Sequence, residues 1–336
     1  MKAAVLERFS EPLVVQDIPE PVPAEGESLL KVQAVGLCGT DIKITGGAFS
    51  HVELPLVPGH EIAGEIAATS AGGPEVGTRV AVYVYETCGE CVWCKAGRTT
   101  ICPNRVRVGF ERPGGLAEYV AVSNKSVIPI ADSVSYEQAA VSMDAVVSPW
   151  MALHHRGRIQ AGEKLVIAGA GGLGMHGLQV ARAAGLSVAV IDPDPDHRAL
   201  ALDLGADLAV APDDLDRLHK WADPGADIAL EASGRRAGFD AAVDSVRRGG
   251  RIICVGYYPG LEYGLDSSRL VLEELEVLGS VASSKESAEE ALAAVADGDI
   301  VPQIAERKPL GSINEALDSL RGGDVLGRVV IDLGAS

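Results

Sequence analysis

The stretch KLVIAGAGGLGMHG, residues 164–177, limits the possible folds more than any other part of this chain. An apolar strand pattern runs into four glycines, Gly169, Gly171, Gly172 and Gly174, and these open a helical pattern. Strand, tight turn and helix in that order begin a βαβ unit. One glycine makes the turn, one lets the backbone approach a pyrophosphate, and one lets helix and strand pack closely. The helix N-terminus then offers free N–H groups to phosphates. An acid follows where such a site needs one: Asp192 ends the next strand pattern, 23 residues after Gly169. Its carboxylate suits an adenosine ribose. Asp194 and Asp196 come next, and three carboxylates repel a 2′-phosphate, so NAD is expected, with His197 and Arg198 keeping NADP open.

The same alternation continues. Apolar runs KLVIAG, SVAVID, DIALEASG and RIICVG alternate with helical patterns, one of them ending in VDSVRRGG. Continuous apolar strands interleaved with helices predict a parallel sheet covered on both faces. Residues 1–146 read differently. KAAVLE, LLKVQAVG, EIAGEIAAT, TRVAVYVY and AEYVAV are short β-type runs separated by Pro and Gly, which predicts a barrel or sandwich. Two amphipathic helices, SAEEALAAVADG and INEALDSLRGG, and a last strand, GRVVIDL, close the chain.

TCGECVWCKAGRTTIC places Cys88, Cys91, Cys94 and Cys102 in a C-x2-C-x2-C-x7-C pattern. The spacing fits a closed tetrahedral zinc site with four sulfurs and no open position, which makes it structural. A redox pair needs a single C-x-x-C at a strand–helix junction, and this loop has overlapping ones. A disulfide knot is the remaining alternative. A second group is scattered: Cys38 in VGLCGTDIK, His60 and Glu61 in LVPGHEIAG, Asp144 in VSMDAVVSPW. Spacing alone does not unite them.

Net charge is 29 − 47 = −18, which disfavours nucleic acid and anionic membrane partners. The chargeless run Leu165–Ala181 is 17 residues long with five glycines, short of the roughly 20 apolar residues a span requires. The first residues carry no signal-peptide core, so a cytoplasmic, reducing setting is expected.

Taken in order, GLCGTD (36–41), PGHEIAGEI (58–66), the four-cysteine stretch, GGLAEYV (114–120), GAGGLG (169–174) and GRVVIDL (327–333) resemble the zinc-dependent alcohol dehydrogenases of the medium-chain dehydrogenase/reductase superfamily. The resemblance spans nearly the whole chain. It implies an α/β protein in which a GroES-like β-rich catalytic domain is interrupted by a Rossmann doubly wound parallel-sheet domain. The domains are then 1–146, with a structural zinc lobe at about 86–104; 147–283; and a return segment, 284–336, that completes the first. It further implies a catalytic zinc held by Cys38, His60 and Asp144, the last where many relatives carry cysteine. Glu61 is implied beside the metal, Thr40 against the substrate oxygen, and Arg328 at the cofactor pyrophosphate.

The implied reaction moves hydride between an alcohol, or a carbonyl in reverse, and NAD. The implied assembly is a homodimer or homotetramer through the edge strand LEVLGSVAS. One position departs from the pattern: Lys43 stands where many relatives end a proton relay with histidine. It could pass a proton, contact the cofactor ribose or be a solvated charge. His51 lies nearby with no spacing to recommend it. Cys254 reads as core, and His154 and His155 as packing or solvent-facing residues. Phe49, Trp93, Trp150, Tyr257 and Tyr258 could line a pocket or belong to the core. The competing functions are NADPH-dependent reduction of a carbonyl or activated alkene, and NAD binding without catalysis.

Overall fold

The computed structural model describes residues 1–323 and 325–334. Asp324, Ala335 and Ser336, which fall in the expected return segment, lie outside the described residues. Two compact units form: Met1–Asp144 with Ser284–Ala296 and Ile304 onward, and Ala145–Ser283 with Asp297–Gln303. The segment 297–303 therefore goes to the second unit, although the expected return segment contains it. Its backbone is fastened there: Val301 N–H donates to Gln179 Oε1 at 2.8 Å and Gln303 N–H to His176 Nε2 at 2.9 Å.

The second unit is built on six parallel strands in the spatial order Leu208–Val210, Ser187–Ile191, Lys164–Ala168, Ala226–Glu231, Val246–Cys254, Glu276–Gly279. Counted along the chain this is 3-2-1-4-5-6, the doubly wound order, and it reverses direction between Lys164–Ala168 and Ala226–Glu231. These two central strands are the apolar runs read from the sequence; Leu165, Val166, Ile167, Ile228, Ala229 and Leu230 have no exposure. Fully burying each large aliphatic side chain stabilises the unit by roughly 1.5–3 kcal/mol. The run VRRGG departs from its helical reading. The helix Arg236–Ser245 stops where Val246 turns extended, and Val246–Cys254 is strand, bulged against Ala226–Ile228.

In the first unit the hub is the eleven-residue strand Glu27–Leu37. It pairs antiparallel with Glu61–Thr69, Tyr119–Ser123 and Arg328–Asp332 within one seven-stranded sheet. The last strand also pairs parallel with Ile304–Pro309. Register sets Gly36 opposite Glu61, and a Cβ on Gly36 would lie 2.0 Å from Glu61 Oε2. The glycine leaves the space in which the Glu61 carboxylate sits.

A second close approach sets the position of His60. Gly114 N–H donates to Val57 O at 2.7 Å, Gly115 N–H to Gly59 O at 2.9 Å and Leu116 N–H to Pro58 O at 3.0 Å. Gly109, at φ +82°, packs on the same peptide: a Cβ there would lie 2.6 Å from Gly59 O. Strand Val106–Arg107, just before this turn, pairs with Tyr85–Glu86 and so flanks the four-cysteine loop. Among the described residues no helix is long and apolar enough to cross a membrane.

Gly109→Ala combines a strained left-handed φ with a backbone clash, so it should lower unfolding free energy by about 1–3 kcal/mol. Gly311→Ala, with nothing within 4 Å and no positive φ, should be neutral. Urea titrations of the two variants compare these outcomes; equal midpoints would show that the Gly59–Gly109 contact is not required.

Candidate active site

The short helix Gly39–Thr45 starts at Cys38, whose extended backbone serves as its N-cap. Cys38 Sγ accepts the Thr40 N–H at 3.2 Å, and Asp41 Oδ2 accepts the Cys38 N–H at 2.9 Å. This reciprocal cap fixes the thiol and leaves Asp41 Oδ1 facing His60 Nδ1 at 3.3 Å. The other ring nitrogen of His60, Nε2, lies 3.3 Å from Cys38 Sγ. Strand Glu61–Thr69 supplies Glu61, and the wide π-helical turn Ser142–Val146 supplies Asp144. Ligand-type atoms of Cys38, His60, Glu61 and Asp144 all lie within 4.8 Å of one another. The fold thus unites the four residues that spacing alone did not.

Acidic groups dominate this cluster. Cys38, Asp41 and Glu61 are buried. Burial pushes the Glu61 carboxyl up to about 8, against the pull of Arg328. Neither Glu61 oxygen accepts a hydrogen bond among the described residues; Arg328 Nε lies 3.4 Å from Oε1. Burial also raises the Cys38 thiol, with Asp144 adding to the effect and His60 opposing it. Burial works against protonating His60, but Asp41 and Cys38 outweigh it and hold the imidazole well above its ordinary value. Buried anionic groups without donors are what a cation is bound by. A thiolate, an imidazole and carboxylates are the donor types zinc takes, and an imidazole whose far nitrogen faces a carboxylate is the usual second layer of such a site. The residues fit the metal.

Arg328, which the resemblance implies at the cofactor pyrophosphate, is 4% exposed and donates from Nη2 to Asp144 Oδ2 at 2.8 Å. A buried guanidinium needs counter-charge, and Glu61 and Asp144 provide it, keeping it protonated despite burial. Thr40 and Lys43, both half-buried, lie three residues apart on one face of the Gly39–Thr45 helix. Burial lowers the Lys43 pKa, with Cys38 and Asp144 acting in the opposite direction.

The four-cysteine loop is equally organised. All six cysteines are free thiols, so no disulfide knot forms. Cys88 and Cys94 sulfurs are 4.0 Å apart, Cys91 and Cys102 3.9 Å, Cys88 and Cys102 3.5 Å. Four sulfurs tetrahedral at about 2.3 Å from one ion would stand about 3.8 Å from each other. Backbone N–H groups of Glu90 and Cys91 draw the Cys88 thiol down to about 6.

In the second unit, Gly169 adopts φ +97°, and a Cβ on Gly174 would lie 1.9 Å from Gly169 O. Gly171 caps the helix that Gly172 begins, Gly172–Ala183. Asp192 is fastened beneath the turn: Oδ2 accepts Ala170 N–H at 2.7 Å and Oδ1 accepts Asp194 N–H at 2.9 Å. Burial raises its pKa, but His197 and these N–H groups outweigh burial and hold it below the usual carboxylate value. Arg198 donates to Asp192 O and Pro193 O, both at 2.8 Å.

Sequence reading missed Asp41 and Phe110. Asp41 was readable as an acid three residues past a cap. Phe110 had no local signal, and its ring stands 5.3 Å from that of His60 and 6.0 Å from that of Phe49. Of the aromatic candidates, Trp93, Tyr257 and Tyr258 are exposed rather than core. His51 sits 3.2 Å from Glu111. Cys254 is half-buried at the end of its strand.

Residues 24–132 match the family model for the alcohol dehydrogenase GroES-like domain, and residues 172–297 that for zinc-binding dehydrogenase. An alcohol dehydrogenase of Geobacillus stearothermophilus is 36% identical over 98% of this chain and 99% of its own. The crystal structure of an NAD-dependent alcohol dehydrogenase is similar at a TM-score of 0.92 and 28% identity, covering 99% of this chain and 100% of that one. The structure of acetophenone reductase from Geotrichum candidum in complex with NAD is similar at 0.89 and 30% identity, covering 100% and 98%.

Because the Asp192 pKa is depressed in the folded chain, the stability it contributes is present above about pH 4 and lost as pH falls through the lower folded value. Asp192→Asn should therefore be less stable than the parent at neutral pH, with the gap narrowing in acid. Denaturant midpoints at a series of pH values measure it; a gap constant with pH would contradict the charge argument.

Proposed function

This chain belongs to the alcohol dehydrogenase family, and from that premise we propose a zinc-dependent oxidoreductase that moves hydride between a small alcohol and NAD, or back to an aldehyde or ketone. The observation that carries this reading is the convergence of Cys38, His60 and Asp144 beside the donorless Glu61 carboxylate. Cys38 Sγ, His60 Nε2 and an Asp144 oxygen would hold a catalytic zinc, with an open position for substrate. The Cys88–Cys91–Cys94–Cys102 sulfurs would hold a second, closed and structural one. When bound, zinc supplies a Lewis acid for the substrate oxygen and NAD supplies the hydride acceptor.

The chain's own residues do the remaining work. Asp41 orients the His60 ring so that Nε2 faces Cys38. Thr40 Oγ1 accepts the hydroxyl proton as it gives up its own, and Lys43, on the same helix face and with its pKa lowered by burial, takes a proton as the neutral amine and releases it to solvent. Arg328 holds Asp144 and offsets Glu61, so the acidic cluster survives without collapse of its charge. Gly169, Gly171, Gly172 and Gly174 cradle the pyrophosphate. Asp192 and its neighbouring acids favour NAD over NADP, and Arg198 is committed to backbone carbonyls. A second copy of the chain is proposed to pair along Glu276–Gly279, the end strand of the parallel sheet, where Val277 is 42% exposed.

Asp144→Asn should release one metal equivalent and abolish alcohol oxidation, while the cysteine-bound equivalent remains. Metal analysis with initial rates over a panel of alcohols tests both; full zinc content with full activity would remove Asp144 from the ligand set. Asp41→Asn should weaken metal retention about 10–100-fold, read as the chelator concentration needed for half-loss. Rates with NAD and NADP in parallel decide the cofactor.

A further inference from the structure

Glu231 ends the central strand Ala226–Glu231, in register with Ala168, where the strand order reverses. It has no exposure, and no cation pairs with its carboxylate among the described residues. Instead four hydrogen bonds converge on it. Oε1 accepts Ser233 N–H at 2.9 Å, Ser233 O–H at 2.5 Å and Gly234 N–H at 2.9 Å; Oε2 accepts Tyr263 O–H at 2.9 Å. Its own carbonyl accepts Val255 N–H at 2.9 Å and Gly256 N–H at 3.0 Å. One residue thereby ties together two turns that leave adjacent strands.

Those turns bear on the glycine turn. A Cβ on Gly169 would lie 2.8 Å from Ser233 N and from Ser233 Cβ, and one on Gly256 would lie 2.2 Å from Gly234 N. Gly169, the Ser233–Gly234 turn and Gly256 are stacked without spare room. Where Ser233 sits fixes where Gly169 sits, and Glu231 fixes Ser233.

We propose that Glu231 is a positioning residue for dinucleotide binding, acting through Ser233 and Gly234 on the Gly169–Gly174 turn. The inference rests on the reading that this turn holds a dinucleotide. Its chemistry predicts which substitution is tolerated. Glutamine keeps an oxygen for the Ser233 and Gly234 donors, and its amide donates to Tyr263 Oη. The Tyr263 proton can then turn to Gly256 O, already 3.2 Å away. Alanine loses every bond, and aspartate, one methylene shorter, loses the reach.

NAD dissociation constants measured by calorimetry on the metal-loaded protein test this. Glu231→Ala and Glu231→Asp should each weaken NAD about tenfold or more, with zinc content unchanged, and Glu231→Gln should bind as the parent does. If Glu231→Ala fails to fold, the Asp and Gln pair carries the comparison alone. Parent-like affinity in a folded Ala or Asp variant overturns the proposal, as does a Gln variant as weak as Asp. A parent chain that binds neither NAD nor NADP overturns the underlying reading instead.

Discussion

A cluster of buried ionisable groups organises the site of the first unit. Cys38, Asp41, Glu61 and Asp144 meet in a space where His60 and Arg328 bring the opposing charge. Two unit charges 4 Å apart interact by about 4 kcal/mol at the effective dielectric of a protein, so such a group cannot be left unbalanced. The sheet supplies the balance. Val329 opposite Leu37 places Arg328 at the end of the hub strand, and Gly36 opposite Glu61 places the carboxylate beside it. A one-residue slip in either pairing would turn those side chains to the other face. The late return of the chain to the first sheet is therefore an electrostatic requirement as much as a packing one.

This dependence explains what the sequence reveals and what it hides. The four cysteines and the glycine turn are legible because their geometry is local: a few residues of loop set every distance that matters. Cys38 and His60 are 22 positions apart, and Arg328 and Asp144 are 184 apart. Only strand register brings those pairs together, so the family resemblance carried them where spacing could not. No spacing signal announces the carboxylates that Arg328 meets, because Glu61 comes from a strand and Asp144 from a helical turn far apart in sequence. VRRGG misled for a local reason. Its arginines suit a helix end, but Val246 is buried as strand and Gly249 turns at φ +68°.

The two sulfur-bearing centres differ in what they ask of the fold. The cysteine loop needs its own turn and little else. His60 needs the Val57–Gly59 backbone, which is fastened by the Gly109–Leu116 segment leading out of the cysteine loop. Phe110, in the same segment, packs its ring toward His60. Order in the loop is in this way transmitted through backbone contacts to His60, and the close glycine approaches leave little slack for one to move without the other.

Two fully buried glutamates make the final contrast. Glu231 collects four donors and needs no ion: its lone pairs are met by N–H and O–H groups, so the carboxylate is a fixed part of the turn it organises. Glu61 accepts no hydrogen bond among the described residues, and its oxygens face a thiol, an imidazole, a second carboxylate and, at 3.4 Å, the Arg328 guanidinium. Burial alone does not separate a structural acid from a functional one. The hydrogen bonds do: a satisfied carboxylate has no affinity left to offer, whereas an unsatisfied one, made possible by the absent side chain of Gly36, raises the local demand for a cation.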